Sequence, residues 1–164
     1  MLENNRLNLN QLHLGEKLPP WNLVSIDPSD MLPKVEDFKG KPLLILIFSF
    51  SCPGCLGRAV PYANRLVYEH GNDINVLGIH TDYNAVNFDN EFFEFWKKEL
   101  FIRFPIYKDY NYDTTFLNYG AGGTPHWILV DKDSIVRYSI FGSDPNNALL
   151  RLDLKLKELN INTI

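Results

Sequence analysis

Leu43-Leu44-Ile45-Leu46-Ile47-Phe48 is the longest uninterrupted apolar run in the chain. Its hydrophobicity is continuous rather than alternating, which predicts a strand covered on both faces and therefore central in a sheet. The segment before it is different. Residues 1–20 are rich in Asn and Leu and end in Pro19-Pro20, which predicts an extended lead-in. Trp21–Ile26 then reads as a short strand and Asp27-Pro28-Ser29-Asp30 as a turn.

After the central strand, Cys52 to His70 predicts a helix, with Pro53 in its first turn, where a missing N–H does no harm, and Gly71 closing it as a C′ residue. Pro61 inside that helix predicts a kink. Ile74–His80 is the next strand, and Asn90–Leu100 carries Phe92, Trp96 and Leu100 at helical spacing. Strand, helix, strand and helix in succession give the βαβ rhythm of a parallel sheet. The last third changes character. Trp127–Val130 and Ile135–Phe141 flank the turn-rich Asp131-Lys132-Asp133-Ser134, which predicts an antiparallel hairpin. Ser143 or Asp144 is placed to cap a final helix, with Pro145 near its first position and Leu149, Leu150, Leu152, Leu154, Leu156 and Leu159 on its buried side. The fold class is therefore α/β, a central mixed sheet flanked by helices.

Composition narrows the class. A chain of 164 residues suits one domain spanning residues 1–164, large enough for a core that needs no disulfide or metal staple. With 45% hydrophobic and 22% charged residues it is an ordinary globular chain, neither disordered nor fibrous. No apolar run approaches the ~18 residues of a membrane helix, so no membrane span is expected. A net charge of −4 offers no cationic field for a polyphosphate, which argues against nucleic acid as a partner. The polar start Met1-Leu2-Glu3-Asn4-Asn5-Arg6 lacks the features of a secretory signal and points to the cytoplasm, although a periplasmic chain whose leader had been removed would read the same way. Two cysteines are too few for a disulfide scaffold.

Their placement carries the chemistry. Cys52-Pro53-Gly54-Cys55 lies where the buried strand meets the first turn of a helix. The thiolate, not the thiol, attacks a disulfide, and the free N–H groups and dipole of a helix start stabilise that anion. The two-residue spacing lets the second sulfur reach the first within one turn. Such a pair can open a substrate disulfide and then resolve the mixed disulfide. A zinc site is the competing use of paired cysteines, but His13, His70, His80 and His126 show no paired spacing to complete one.

With these residues the chain resembles the thioredoxin superfamily, in particular thiol-disulfide oxidoreductases of the TlpA/ResA type and their peroxiredoxin-like relatives. The resemblance is carried by Phe38-Lys39-Gly40-Lys41-Pro42, by Cys52-Pro53-Gly54-Cys55, and by Tyr119-Gly120-Ala121-Gly122-Gly123-Thr124-Pro125 ahead of Trp127-Ile128-Leu129-Val130-Asp131. It implies a thioredoxin-like fold with an N-terminal extension and a helical insertion around Phe88–Leu100. It also implies a cis Thr124–Pro125 peptide beside the cysteines, with Thr124 and Pro125 positioning an extended substrate. Cys52 would be the attacking thiolate and Cys55 the resolving thiol. No dissociable cofactor is called for. The expected partners are a disulfide-containing protein substrate and a partner dithiol, reductase or oxidase, acting on a monomer.

The chain departs from its relatives at two positions. Leu46 stands where thioredoxin has a buried acid, and Ser51 stands where a tryptophan usually precedes the pair. Peroxide reduction is the nearest alternative activity. It asks for a hydroxyl three residues before the cysteine, which Ser49 supplies, and a proline seven before it, where Ile45 stands instead. A copper-chaperone-like carrier using Cys52, Cys55 and His126 is the non-enzymatic alternative. Arg58, in the next helical turn, and His126, directly after Pro125, are candidates for tuning the ionisation of the thiol, since either cation would favour its anion. Trp96 and the phenylalanines around it read as core, and His80 at a strand end receives no role.

Overall fold

The computed structural model describes residues 11–82 and 87–164. The first half of the lead-in, residues 1–10, lies outside them. Six strands form one mixed sheet in the order β1-β4-β3-β2-β5-β6. They are β1 (Leu23–Val24), β2 (Leu43–Phe48), β3 (Asn75–His80), β4 (Ile106–Asp109), β5 (His126–Val130) and β6 (Val136–Phe141). β2, β3 and β4 run parallel, while β1 on β4, β5 on β2 and β6 on β5 are antiparallel. The helices are α1 (Val60–His70), α2 (Asn90–Glu99), α3 (Thr114–Asn118) and α4 (Ala148–Glu158).

The continuous apolar run of β2 has the expected cause. Leu44, Leu46 and Phe48 face one core, shared with Val60, Ala63 and Leu66 of α1, Phe93 of α2 and Leu149, Leu152 and Leu156 of α4. Leu43, Ile45 and Ile47 face a second core with Phe116 of α3, Tyr119, Leu18 of the lead-in and Trp21. All six side chains of β2 are buried, so neither face can be polar. On β3, Gly78 is set by the same packing. A Cβ there would stand 2.7 Å from Ile106 and 3.0 Å from Phe104, so only hydrogen fits between strand and neighbours.

Several elements differ from the sequence reading, each for a local reason. The first strand shrinks from Trp21–Ile26 to Leu23–Val24, because it pairs only with the short β4. β4 and α3 themselves are new. α3 has five residues, and it is held by Asp109 at the end of β4, whose Oδ1 and Oδ2 accept from the N–H groups of Thr115 (2.7 Å) and Phe116 (2.9 Å). The helix begun at Pro53 widens into a π-helical turn over Cys55–Ala59, where the Val60 N–H reaches back to the Cys55 carbonyl. Pro61 explains it. A regular turn would press the proline ring on the carbonyl four residues back and leave that carbonyl unbonded, and a wider turn relieves both.

Gly71 has φ −61°, so it is not the left-handed C′ residue expected. The His70 carbonyl is instead closed by the Asp73 and Ile74 amides in a right-handed turn. α4 starts at Ala148, later than a Ser143 or Asp144 cap implies. Asp144 organises a separate turn, its Oδ1 taking the Asn146 N–H at 2.7 Å and its carbonyl taking the Asn147 and Leu149 amides. With that start, Leu150 and Leu154 rotate to the exposed side, while Leu149, Leu152 and Leu156 are buried.

Candidate active site

The site forms at the carboxyl end of β2, the residues after it turning into the helix and the Thr124–Pro125 step before β5 lying alongside. Cys52 opens the helical turns, and its carbonyl accepts from the Cys55 and Leu56 amides. Its side chain is half-buried. The Cys55 N–H donates to Cys52 Sγ at 3.2 Å, and that sulfur donates to the Thr124 carbonyl at 3.4 Å. A main-chain donor therefore faces the sulfur from the helix and a main-chain acceptor faces it from across the cleft. The Thr124–Pro125 peptide is cis. Pro125 has no N–H to direct at the cysteines, so the carbonyl of Thr124 is the main-chain group of this step that meets Cys52.

Both cysteines are free thiols, and their surroundings differ. Cys55 is fully buried. Burial pushes its thiol well above the ordinary range, and the hydrogen bond with Cys52 pushes it further, whereas the Ser49 main chain and the Thr124 hydroxyl pull the other way. Cys55 thus keeps its proton at neutral pH, and the accessible sulfur is that of Cys52. Leu46 is fully buried in the same apolar cluster as Cys55, in the place where thioredoxin has its acid.

A groove of about 390 Å³ opens at Cys52. Gly54, Thr124, Pro125, Phe141, Gly142 and Ser143 line it. Phe141, Gly142 and Ser143 come from the end of β6 and the loop after it, where the sequence predicts a hairpin strand and a helix cap. Two contacts lock this loop in place. Gly142 donates its N–H to the Pro125 carbonyl at 2.8 Å, and Trp127 Nε1 donates to the Gly142 carbonyl at 2.9 Å. Gly142 has φ +112°, a conformation that side chains resist, so the glycine between Phe141 and Ser143 is the sequence signal for this turn. Gly54 also has a packing reason, because a Cβ there would stand 3.0 Å from Ser143 Oγ.

His126 is not the cation that its position suggested. It is buried on β5, its Nε2 is 2.7 Å from Ser139 Oγ, and burial lowers its pKa to about 4. At neutral pH the ring is uncharged and engaged with β6. Arg58 lies in the π-helical turn with its side chain exposed to solvent. Ser49, the hydroxyl that peroxide chemistry would need, is occupied within its own turn. Its Oγ accepts from the Ser51 N–H at 3.2 Å and lies 2.8 Å from Ser51 Oγ. Among the described residues, no group of three His, Cys, Asp or Glu side chains is placed to hold a metal ion.

A cysteine pair at a strand-to-helix junction, facing a cis-proline on a mixed sheet, defines a thioredoxin-like protein of the thiol-disulfide exchange class. The sequence model of the redoxin family matches residues 13–154, and the chain belongs to that family. It is 31% identical over 131 residues to the thiol:disulfide interchange protein DsbE of Pseudomonas aeruginosa, covering 79% of this chain and 67% of the relative. Among solved structures, a thioredoxin-like superfamily protein superposes with a TM-score of 0.71 at 26% identity, over 87% of this chain and 96% of its own. A thiol-disulfide isomerase from Corynebacterium glutamicum superposes with a TM-score of 0.67 at 25% identity, over 93% and 97%.

Proposed function

We propose that this chain is a thiol-disulfide oxidoreductase that exchanges electrons with protein disulfides through Cys52 and Cys55. The observation that carries the reading is the asymmetry of the pair: Cys52 half-buried at the groove with a main-chain N–H on its sulfur, Cys55 buried with its thiol held protonated. In the reducing direction the Cys52 thiolate attacks one sulfur of the substrate disulfide. The substrate S–S bond breaks, and the released thiolate takes up a proton. Cys55 then loses its proton and attacks the Cys52 sulfur of the mixed disulfide, which frees the second substrate thiol. The substrate is reduced by two electrons and the pair becomes a disulfide. A partner dithiol reverses that oxidation, and a partner with a higher potential drives the whole sequence the other way.

Thr124 and Pro125 present an extended edge beside the sulfur, which suits a polypeptide substrate laid along the groove. The engaged Ser49 hydroxyl supports disulfide exchange over peroxide reduction. With His126 Nε2 turned to Ser139 on β6, no group of three His, Cys, Asp or Glu side chains forms around the pair among the described residues, and this supports it over a metal carrier. Trapping tests the assignment. The Cys55→Ser chain should accumulate a covalent mixed disulfide with a model disulfide protein, because resolution is blocked, and Cys52→Ser should accumulate none. The reverse pattern on non-reducing gels overturns the roles, and activity surviving in both variants overturns the mechanism.

A further inference from the structure

We propose that His80 is a positioning residue for Cys52: its unprotonated Nε2 holds the main chain at Phe50 and so fixes the Phe50-Ser51 segment that delivers the sulfur to the groove. The inference rests on Cys52 being the attacking sulfur. His80 is the last residue of β3, in register with Phe48, the last residue of β2. The Thr81 N–H donates to the Phe48 carbonyl at 2.9 Å, beyond which the chain leaves the sheet. Phe50 is buried and its amide has no strand to bond. A buried N–H left without a partner is strongly disfavoured. The His80 ring supplies one, with Nε2 3.0 Å from the Phe50 nitrogen. An amide only donates, so that nitrogen must carry its lone pair, which assigns the neutral tautomer with the proton on Nδ1.

The ring is gripped as well as bonded. It stacks on Phe50 at 5.1 Å between centroids, and Phe48, Phe88 and Phe93 meet it edge-on at 5.5, 5.8 and 4.9 Å. A phenylalanine would suit such surroundings by volume and polarity. What an imidazole adds is the acceptor. From Phe50 to Cys52 the chain makes one tight turn, in which the Cys52 N–H donates to the Ser49 carbonyl at 3.1 Å. A shift at Phe50 is therefore passed to the sulfur and to its contacts with the Cys55 N–H and the Thr124 carbonyl. Reactive groups lose function with displacements of well under an ångström to one ångström.

Two substitutions separate the acceptor from the bulk. His80→Phe keeps a ring and removes the acceptor, whereas His80→Gln keeps an acceptor at comparable reach. The readout is native-state alkylation of Cys52 by iodoacetamide, followed residue by residue by mass spectrometry, alongside disulfide exchange. His80→Phe should slow both about tenfold, the scale of one lost hydrogen bond, and His80→Gln should return both to within about threefold of the parent. A Phe variant that is folded and less than threefold slower overturns the proposal, as does a Gln variant as slow as Phe. Should the Phe variant not fold, the parent chain decides. Long-range proton–nitrogen spectra of the ring must show Nε2 unprotonated at pH 7, and a proton on Nε2 overturns the assignment. A parent chain that exchanges no disulfides would sink the proposed function, while the alkylation rates and ring spectra would still decide the role of His80.

Discussion

His80 and His126 flank the same strand, one opposite Phe48 and the other opposite Ile47 of β2, and they use their imidazoles differently. Both are buried, and burial brings both pKa values down to about 4. For His80 the nearby Lys108 acts in the same direction, and its own carbonyl acts against it. At His80 the acceptor nitrogen serves the main chain that leads to Cys52, and an aromatic shell fixes the ring. At His126 one nitrogen meets Ser139 on the neighbouring strand, and Nδ1 is buried without a hydrogen-bond partner among the described residues. A histidine near a reactive thiol invites a reading as a charge. Here burial removes the charge from both, so what distinguishes them is which neighbour their lone pair or proton satisfies.

The largest expected consequence is on acid stability. The folded pKa of each histidine, about 4, lies below the ordinary 6.5. Between those values the unfolded chain binds protons that the folded chain refuses, so stability falls as pH falls through that window. The size is on the order of 3 kcal/mol per histidine. His126→Leu should remove roughly half of that loss and leave stability at pH 7 within about 1 kcal/mol of the parent, since the buried unsatisfied nitrogen goes with the ring. Urea unfolding at a series of pH values from 7 to 4 measures it. An equally steep loss in the Leu variant would mean that His126 is not held neutral.

Asp109 sharpens the comparison because its sign is opposite. Burial raises its carboxyl to about 6 against the bonds from the Thr115 and Phe116 amides. With a folded pKa above the unfolded one, the folded chain takes up the proton first, and this group adds stability as pH falls from about 6 to about 4. Asp109→Asn should abolish that gain, making the net acid loss steeper by about 2 kcal/mol, and at pH 7 it should cost no more than about 1 kcal/mol, because the amide loses one acceptor at the start of α3 but sheds the penalty of burying a charge. The same urea series reads it, and an unchanged slope would place the carboxylate in water.

How far the sequence announced this arrangement depends on whether the signal is local. The run Leu43–Phe48 must be a central strand because no side of it can face water, and Cys52-Pro53-Gly54-Cys55 at its end is a contiguous motif. Thr124-Pro125 is legible only through resemblance, since nothing in the peptide itself says that it meets Cys52. β4 and α3 escaped because each is too short to show a period, and α3 is held by a carboxylate from the preceding strand. The placing of Phe141 to Ser143 in the groove and the contact of His80 with Phe50 are tertiary, joining residues about 90 and 30 positions from their partners at Cys52 and Phe50. Burial was the missing quantity for His126. In sequence it stands beside the site as a potential cation, and only the packing of β5 between β2 and β6 shows that the charge cannot persist.

Ser139→Ala gives the smallest and most selective test of the contrast. Ser139 Oγ is the one partner the described residues offer to the His126 ring, whichever of the two donates. Removing it leaves both ring nitrogens unsatisfied in a buried setting, for which the expected loss is about 1–2 kcal/mol. The loss must depend on the imidazole. In the His126→Leu background the hydroxyl has no ring to serve, so adding Ser139→Ala should then change stability by less than about 0.5 kcal/mol, and the cycle should return most of the single-variant effect as coupling. The alkylation rate of Cys52 should stay within twofold of the parent in Ser139→Ala, because this ring is tied to β6 and not to the segment that carries the sulfur. Additive losses would show that Ser139 stabilises β6 independently of His126. A slowed Cys52 would show that the two histidines are coupled through β2, and the division of labour between them would fall.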